Sequence, residues 1–197
     1  GFKNTISIDE GRKCLKENIH DFIIAEETYD VSRYIVAAIM LIETRCGQNL
    51  GNHLVLNRLS RMAYINEVDN IKYNYEMIKK ENPQTSYEEV KKRADDLSHR
   101  FYPELLALFR LAEKNQLNLL EVMGSYAGAF GMTQFLPTSY QRFGVDGNKD
   151  GKVDLFDKVD ALYSTANFLS YFGWKEQGSV AQKRKAIWHY NHSEAYV

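Results

Sequence analysis

The apolar run Ile35 Val36 Ala37 Ala38 Ile39 Met40 Leu41 Ile42, followed at once by Glu43 Thr44 Arg45, constrains the fold more than any other stretch of this chain. Eight apolar residues fall short of a bilayer span, so the run reads as a helix buried on nearly all sides of a soluble core. A carboxylate on the last turn of such a helix is costly. Negative charge there opposes the helix macrodipole, and little water is at hand to solvate it. Both effects favour protonated Glu43, the state that a general acid near neutral pH requires. Arg45 would cancel this by pairing with Glu43, but residues two apart on a helix point to different sides. From this stretch alone, a tuned acid and a plain carboxylate emerging at the end of a core helix are equally good readings.

At 197 residues the chain is sized for one compact domain, or one domain with a small lobe. A net charge of -1 gives no general reason to bind nucleic acid or a membrane surface. The basic clusters Lys91 Lys92 Arg93 and Lys183 Arg184 Lys185 read as solvated faces. No stretch is expected to span a membrane or to serve as a signal peptide, and a trimmed targeting segment is compatible with that. Cys14 and Cys46 make neither a disulfide framework nor a metal knuckle; Cys46 reads as a buried free thiol rather than a nucleophile or a bridge. The 13 tyrosines suit sugar binding, although most are expected in the core or at interfaces.

Along the chain, Ser7 and Glu10 form a capping-box pattern that opens a helical region to about Tyr29, as one helix or two. Asp30 and Ser32 are candidate caps for the apolar helix, which Gly47 is expected to close. Asn49 to His53 reads as a loop and Leu54 to Ala63 as a helix. Residues 66–99 are more charged, with Pro83 and a second capping box from Ser86 to Glu89; they read as a peripheral helical lobe or lid. Pro103 is expected in the first turn of a helix that runs to about Lys114. Two further helices are expected, from about Lys158 to Phe172 and from about Val180 to Tyr190.

Two irregular stretches carry chemistry. Gly124 to Pro137 holds three glycines within eight positions, which spoil a helix and let backbone and small side chains approach something closely. Ser125 lies one place too early for a nucleophile elbow, which rejects a serine hydrolase. Gln134, among apolar neighbours, needs hydrogen-bond partners that a ligand is able to supply. Asp146 to Asp157 matches an EF-hand loop, with oxygen ligands at the first (Asp146), third (Asn148), fifth (Asp150), ninth (Asp154) and twelfth (Asp157) places. Gly151 takes the sixth place and an apolar Val153 the eighth, while Lys152 at the seventh offers its backbone carbonyl. Asp157 stands where a bidentate Glu is usual, so its shorter side chain binds one-sidedly or weakens affinity. The alternative is a polar Asp/Gly turn. The expected ion is a structural Ca2+. His189 and His192, three apart with no third ligand indicated, read as ordinary histidines.

Three separated stretches, Glu43 Thr44 Arg45 Cys46 Gly47, Gly124 to Pro137, and Tyr190 Asn191, together with the calcium-type loop in the same place, resemble the membrane-bound lytic murein transglycosylase B family. The resemblance implies a mainly α, lysozyme-like lytic transglycosylase fold with an EF-hand-type calcium loop and minimal β, as a single catalytic domain over residues 1–197. It implies cleavage of bacterial peptidoglycan glycan strands by a monomer in the periplasm or cell envelope, or secreted, with a membrane tether outside these residues an option. Carried over by motif, Glu43 is the single catalytic acid/base. Ser125 and Gln134 line the sugar cleft, and Tyr190, Asn191 and Tyr196 contact the substrate around the scissile bond. Cys46 stands where that family often has an aromatic residue, and Phe168 where a cleft tyrosine is common.

Glycosidases usually need two carboxylates, and no second motif-borne acid lies outside the calcium loop; substrate-assisted enzymes are the exception. The expected reaction is proton donation by Glu43 to the bond between N-acetylmuramic acid and N-acetylglucosamine, the substrate's acetamido group stabilising the developing cation. Glu43 then serves as base on the C6 hydroxyl, closing a 1,6-anhydro ring. Two rivals stay open: a lysozyme-type hydrolase of normal or deacetylated murein using the same Glu43, and a non-catalytic, calcium-stabilised glycan-binding protein.

Overall fold

The computed structural model describes residues 7–115, 117–194 and 196. The described chain is mainly helical: α1 (Ile8–Glu17), α2 (Ile19–Tyr29), α3 (Arg33–Thr44), β1 (His53–Leu54), α4 (Val55–Ala63), α5 (Val68–Glu81), α6 (Tyr87–Asn115), β2 (Met123–Gly124), α7 (Pro137–Phe143), α8 (Lys158–Tyr171) and α9 (Val180–Tyr190). By its contacts the chain divides into two compact units: Gly1–Gly51, Phe130–Phe135 and Arg142–Val197 form the first, and Asn52–Ala129 with Leu136–Gln141 the second.

In the first unit α3 packs on α1, α2 and α8, burying Val36, Ile39 and Met40, each at most 1% exposed. The apolar run thus forms the buried helix that its composition predicts, and each such side chain contributes about 1.5–3 kcal/mol of burial. α1 starts at Ser7, whose hydroxyl accepts the Asp9 N–H at 3.2 Å. The predicted capping box with Glu10 is not how that carboxylate is used: it pairs with Arg45 Nη2 at 3.3 Å, a partner distant in sequence. α3 ends at Thr44, before the expected Gly47. Arg45, Cys46 and Gly47 follow as three successive left-handed residues, at φ 52°, 56° and 92°. Asp157 caps α8, its Oδ1 accepting Val159 and Asp160 N–H at 2.9 and 3.1 Å, and Ser179 with Gln182 forms a full capping box at α9.

In the second unit α4 and α6 pack along a shared face of Val55, Leu59, Ala63, Phe101, Leu105 and Leu108. β1 and β2 pair antiparallel, His53 opposite Gly124 and Leu54 opposite Met123. Gly128, at φ 82°, brings its backbone so near Leu59 that an added Cβ would lie 2.5 Å from the Leu59 side chain. Residues 66–99 belong to this unit, as α5 and the first half of α6; Ile71, Val90 and Ala94 form a small buried cluster between them. The Ser86–Glu89 capping box forms as predicted.

Pro103 does not start a helix. It sits inside α6, which runs unbroken from Tyr87 to Asn115. A mid-helix proline costs about 3 kcal/mol. The helix carries it because both halves bury one continuous face, Val90, Ala94, Phe101, Leu105, Leu108 and Leu111. Polar ties add to that face on either side of the proline. The Ser98 hydroxyl donates to the Ala63 carbonyl at 2.6 Å, and Glu104 accepts from the Thr138 N–H and hydroxyl at 2.9 and 2.6 Å.

Candidate active site

Glu43 lies on the last turn of α3, partly buried, and Tyr196 O–H donates to its Oε1 at 2.8 Å. Burial raises its carboxyl above the ordinary range, and the Tyr196 hydrogen bond, which favours the charged form, offsets only part of that. Arg45 does not neutralise Glu43. Its left-handed backbone turns it aside to Glu10, with Nε donating to Oε2 at 3.3 Å.

The turn after Glu43 is strained, since a left-handed residue other than glycine costs about 1–2 kcal/mol. Local hydrogen bonds hold it: Cys46 N–H to Met40 O at 3.0 Å, Asn49 N–H to Thr44 O at 2.9 Å, and Gly47 N–H to Thr44 Oγ1 at 3.0 Å. The Thr44 hydroxyl, 1% exposed, also lies 3.3 Å from the Met132 carbonyl, which fastens the helix end to Phe130–Phe135. That short segment is itself fixed. Met132 N–H donates to Leu155 O at 2.8 Å, Phe130 N–H to Phe135 O at 3.0 Å, and a Cβ on Gly131 would lie 2.5 Å from Leu155 Cβ.

Gln134 stands in this segment at φ 50°, its Nε2 donating to Gly131 O at 3.0 Å, so backbone supplies one of the partners its position demands. Tyr190, at the end of α9, donates its hydroxyl to Thr133 O at 2.7 Å, while its ring packs 4.9 Å from Phe168 and 5.7 Å from Phe135. Burial first and the Glu43 charge second raise the Tyr190 phenol well above its ordinary value. Tyr196 shifts the same way, from burial and then Glu43, so both phenols stay protonated donors. Phe168 is buried among Phe135, Phe143, Phe172 and Tyr190, where a tyrosine hydroxyl would enter an apolar cluster.

The first unit therefore holds Glu43, Gln134, Tyr190, Asn191 and Tyr196, with direct side-chain contact between Glu43 and Tyr196. Asn191 is the C-cap of α9 with an exposed side chain. Ser125 belongs to the second unit, where its hydroxyl accepts the Ala129 N–H at 3.1 Å and its N–H donates to Ala129 O at 2.8 Å, closing the glycine-rich turn. Thr44 and Thr133 were not legible as site residues. Their roles depend on partners about ninety and sixty residues away, the Met132 carbonyl for Thr44 and the Tyr190 hydroxyl for Thr133, and no local pattern encodes those.

In the first half of the Asp146–Asp157 loop, side-chain oxygens accept from the loop's own N–H groups. Asp146 reaches across it to the N–H groups of Asp150 and Gly151 at 3.1 and 2.9 Å, and Asn148 accepts from Asp150 at 3.0 Å. Lys149 and Gly151 take the left-handed turns, at φ 61° and 91°. At the twelfth place the fit departs, because Asp157 Oδ1 is engaged in capping α8. Asp160, one turn further on and fully buried, points its carboxylate back into the loop, taking Gly147, Asn148 and Asp154 N–H at 2.8, 3.2 and 2.7 Å. A twelve-residue count stops short of it. Among the described residues, no three His, Cys, Asp or Glu side chains are already drawn together as a metal cluster.

Residues 2–185 match the transglycosylase SLT domain family. The chain is 31% identical over 157 residues to membrane-bound lytic murein transglycosylase B of Escherichia coli (strain K12), covering 80% of this chain and 36% of that protein. Among solved structures it is similar to soluble lytic transglycosylase SltB1 from Pseudomonas aeruginosa, at TM-score 0.70 and 28% identity over 91% of this chain and 51% of that one. It is likewise similar to the Escherichia coli lytic transglycosylase Slt35 in complex with calcium, at TM-score 0.69 and 27% identity over 91% of this chain and 48% of that one. The chain thus spans between about a third and a half of the length of these relatives.

Proposed function

From the membership of this chain in the transglycosylase SLT domain family, we infer that it cleaves peptidoglycan glycan strands between N-acetylmuramic acid and N-acetylglucosamine, leaving 1,6-anhydromuramic ends. The observation that carries the reading is the environment of Glu43: a carboxyl raised by burial, held at Oε1 by Tyr196, and free of its neighbour Arg45. With Tyr196 on Oε1, Oε2 is the oxygen that carries the transferable proton. It protonates the glycosidic oxygen, the substrate's acetamido group stabilises the cation that develops, and the resulting carboxylate takes the proton of the C6 hydroxyl as the anhydro ring closes. The shift of Glu43 comes from burial and Tyr196, without a contribution from another carboxylate, in keeping with a single acid/base.

The ordered roles follow from the same contacts. Tyr196 orients Glu43, and Tyr190 and Gln134 shape the adjoining wall on the rigid Phe130–Phe135 segment. Asn191 offers an exposed amide, and Ser125 is taken as a sugar contact from its motif alone. A structural Ca2+ is part of the reading: Asp146, Asn148 and Asp150 would hold it by side-chain oxygens, Lys152 by its carbonyl, and Asp157 by the oxygen its cap leaves over. The ion would supply rigidity to the loop and no chemistry. A bacterial cell-envelope location is part of the reading, in keeping with the membrane-bound Escherichia coli relative.

Digestion of defined murein with product mass spectrometry tests the proposal. Anhydro ends are one water lighter than reducing ends, and a product set made only of reducing ends would replace this reading by a lysozyme-type hydrolase. Walls that bind the protein and are never cut would leave a binding protein.

A further inference from the structure

Cys14 and Cys46 take no part in the chemistry assigned to Glu43, yet the packing of α1 on α3 brings their thiols into hydrogen-bond contact. Both line one cavity of about 410 Å³, together with Glu10, Glu17, Lys13 and Lys158. Cys14 is 3% exposed and Cys46 partly exposed, so a reagent reaches the pair from the Cys46 side. Cys14 lies below the ordinary thiol value, first through the Cys46 side chain and then through the Lys158 ammonium, while Cys46 lies above it through Cys14 and burial, so the thiolate that attacks a disulfide forms at Cys14. Cys46 also stands in the left-handed run that ends α3, so whatever is bonded to it acts on the turn beside Glu43.

We propose that Cys14 and Cys46 join in an intramolecular disulfide on meeting a low-molecular-weight disulfide oxidant, tying α1 to the turn that ends the Glu43 helix. The thiolate of the pair attacks one sulfur of the oxidant, whose S–S bond breaks and releases one thiolate. The second protein sulfur loses its proton to solvent, attacks the mixed disulfide and expels the other half of the oxidant. Two protein thiols thereby lose two protons and two electrons, and one oxidant disulfide is reduced to two thiols. The new bond closes a loop containing α2 and the whole of α3, which restricts the unfolded chain.

The test reads thiols and so stands apart from the glycan reaction. The protein is incubated with oxidised glutathione, denatured, treated with N-ethylmaleimide and weighed intact. Reduced protein should take two labels; oxidised protein should take none, weigh two hydrogens less, and yield on proteolysis a linked pair of peptides containing Cys14 and Cys46. Its thermal midpoint should rise by about 5–10 °C, and Cys46→Ala should lose that response. Two labels after oxidation, a persistent glutathione adduct, or a covalent dimer overturns the proposal. A bond formed without a rise in the midpoint overturns its tie to the turn. If Cys46→Ala does not fold, the wild-type masses decide alone.

Discussion

Glu43 and Asp160 are both carboxylates withdrawn from water in the first unit, and burial raises both above the ordinary range. They differ in what meets their oxygens. Asp160 takes three backbone N–H groups across both oxygens and is fully enclosed, so its lone pairs are spent on holding the loop. Glu43 receives one phenol on Oε1 and remains partly open. Under the proposed function, burial alone does not mark the acid; the donor count does, because a proton shuttle needs an oxygen that the fold has not already claimed.

The largest effect that would break this contrast belongs to Glu43→Gln. Murein cleavage should fall by about 10²–10⁴-fold or more with the fold intact, measured as release of soluble muropeptides. The same variant sharpens the electrostatics. Because burial raises the Glu43 carboxyl, the folded chain binds that proton more tightly than the unfolded chain does. Its stabilising contribution is full below the ordinary Glu range and is lost as pH rises through the raised folded value. Gln cannot ionise, so the variant's thermal midpoint should gain on wild type across that window; parallel pH curves would contradict the assignment.

Asp160→Ala should act in the opposite sense, costing about 3 kcal/mol, or about 6–12 °C in thermal midpoint, by stranding three N–H groups, while activity per folded molecule persists. A variant that folds normally but no longer cuts would erase the distinction between the two carboxylates. Calcium comes next. At about 100 times its dissociation constant the ion should add about 2.7 kcal/mol, read as a calcium-dependent rise in midpoint that chelator reverses and Asp146→Ala abolishes. The smallest effect is that of Tyr196→Phe. Removing the bond that favours the charged form leaves Glu43 protonated to higher pH, so the basic limb of the pH–rate profile should move upward, with about 1 kcal/mol lost in stability.

What could be read from the chain was local. The apolar run, the Ser86–Glu89 box and the helices near 158–172 and 180–190 follow from spacing and capping, which neighbouring residues settle among themselves. What escaped was decided at a distance. Glu10 looks like a cap until Arg45 draws it away, Pro103 looks like a helix start until the α4 face outweighs the missing N–H, and α7 carries no strong pattern of its own. The site divides in the same way. Glu43 is a candidate by its place on an apolar helix end, whereas Thr44, Thr133 and Asp160 hold the surrounding structure through partners that no spacing rule reaches.

The contact between Gly131 and Leu155 bears on how such a chain can change over generations. An added Cβ at Gly131 would meet both the side chain and the carbonyl of Leu155, at 2.5 and 2.7 Å, and the latter cannot rotate away. Every codon change that replaces this glycine introduces that atom, so the position is shut to drift. Gly151 and Gly173 have open space around them and oppose replacement by backbone conformation alone. Gly173, which lies outside the calcium-type loop and has open space around it, is the less constrained position, while the strip beside Glu43 is inherited as a block.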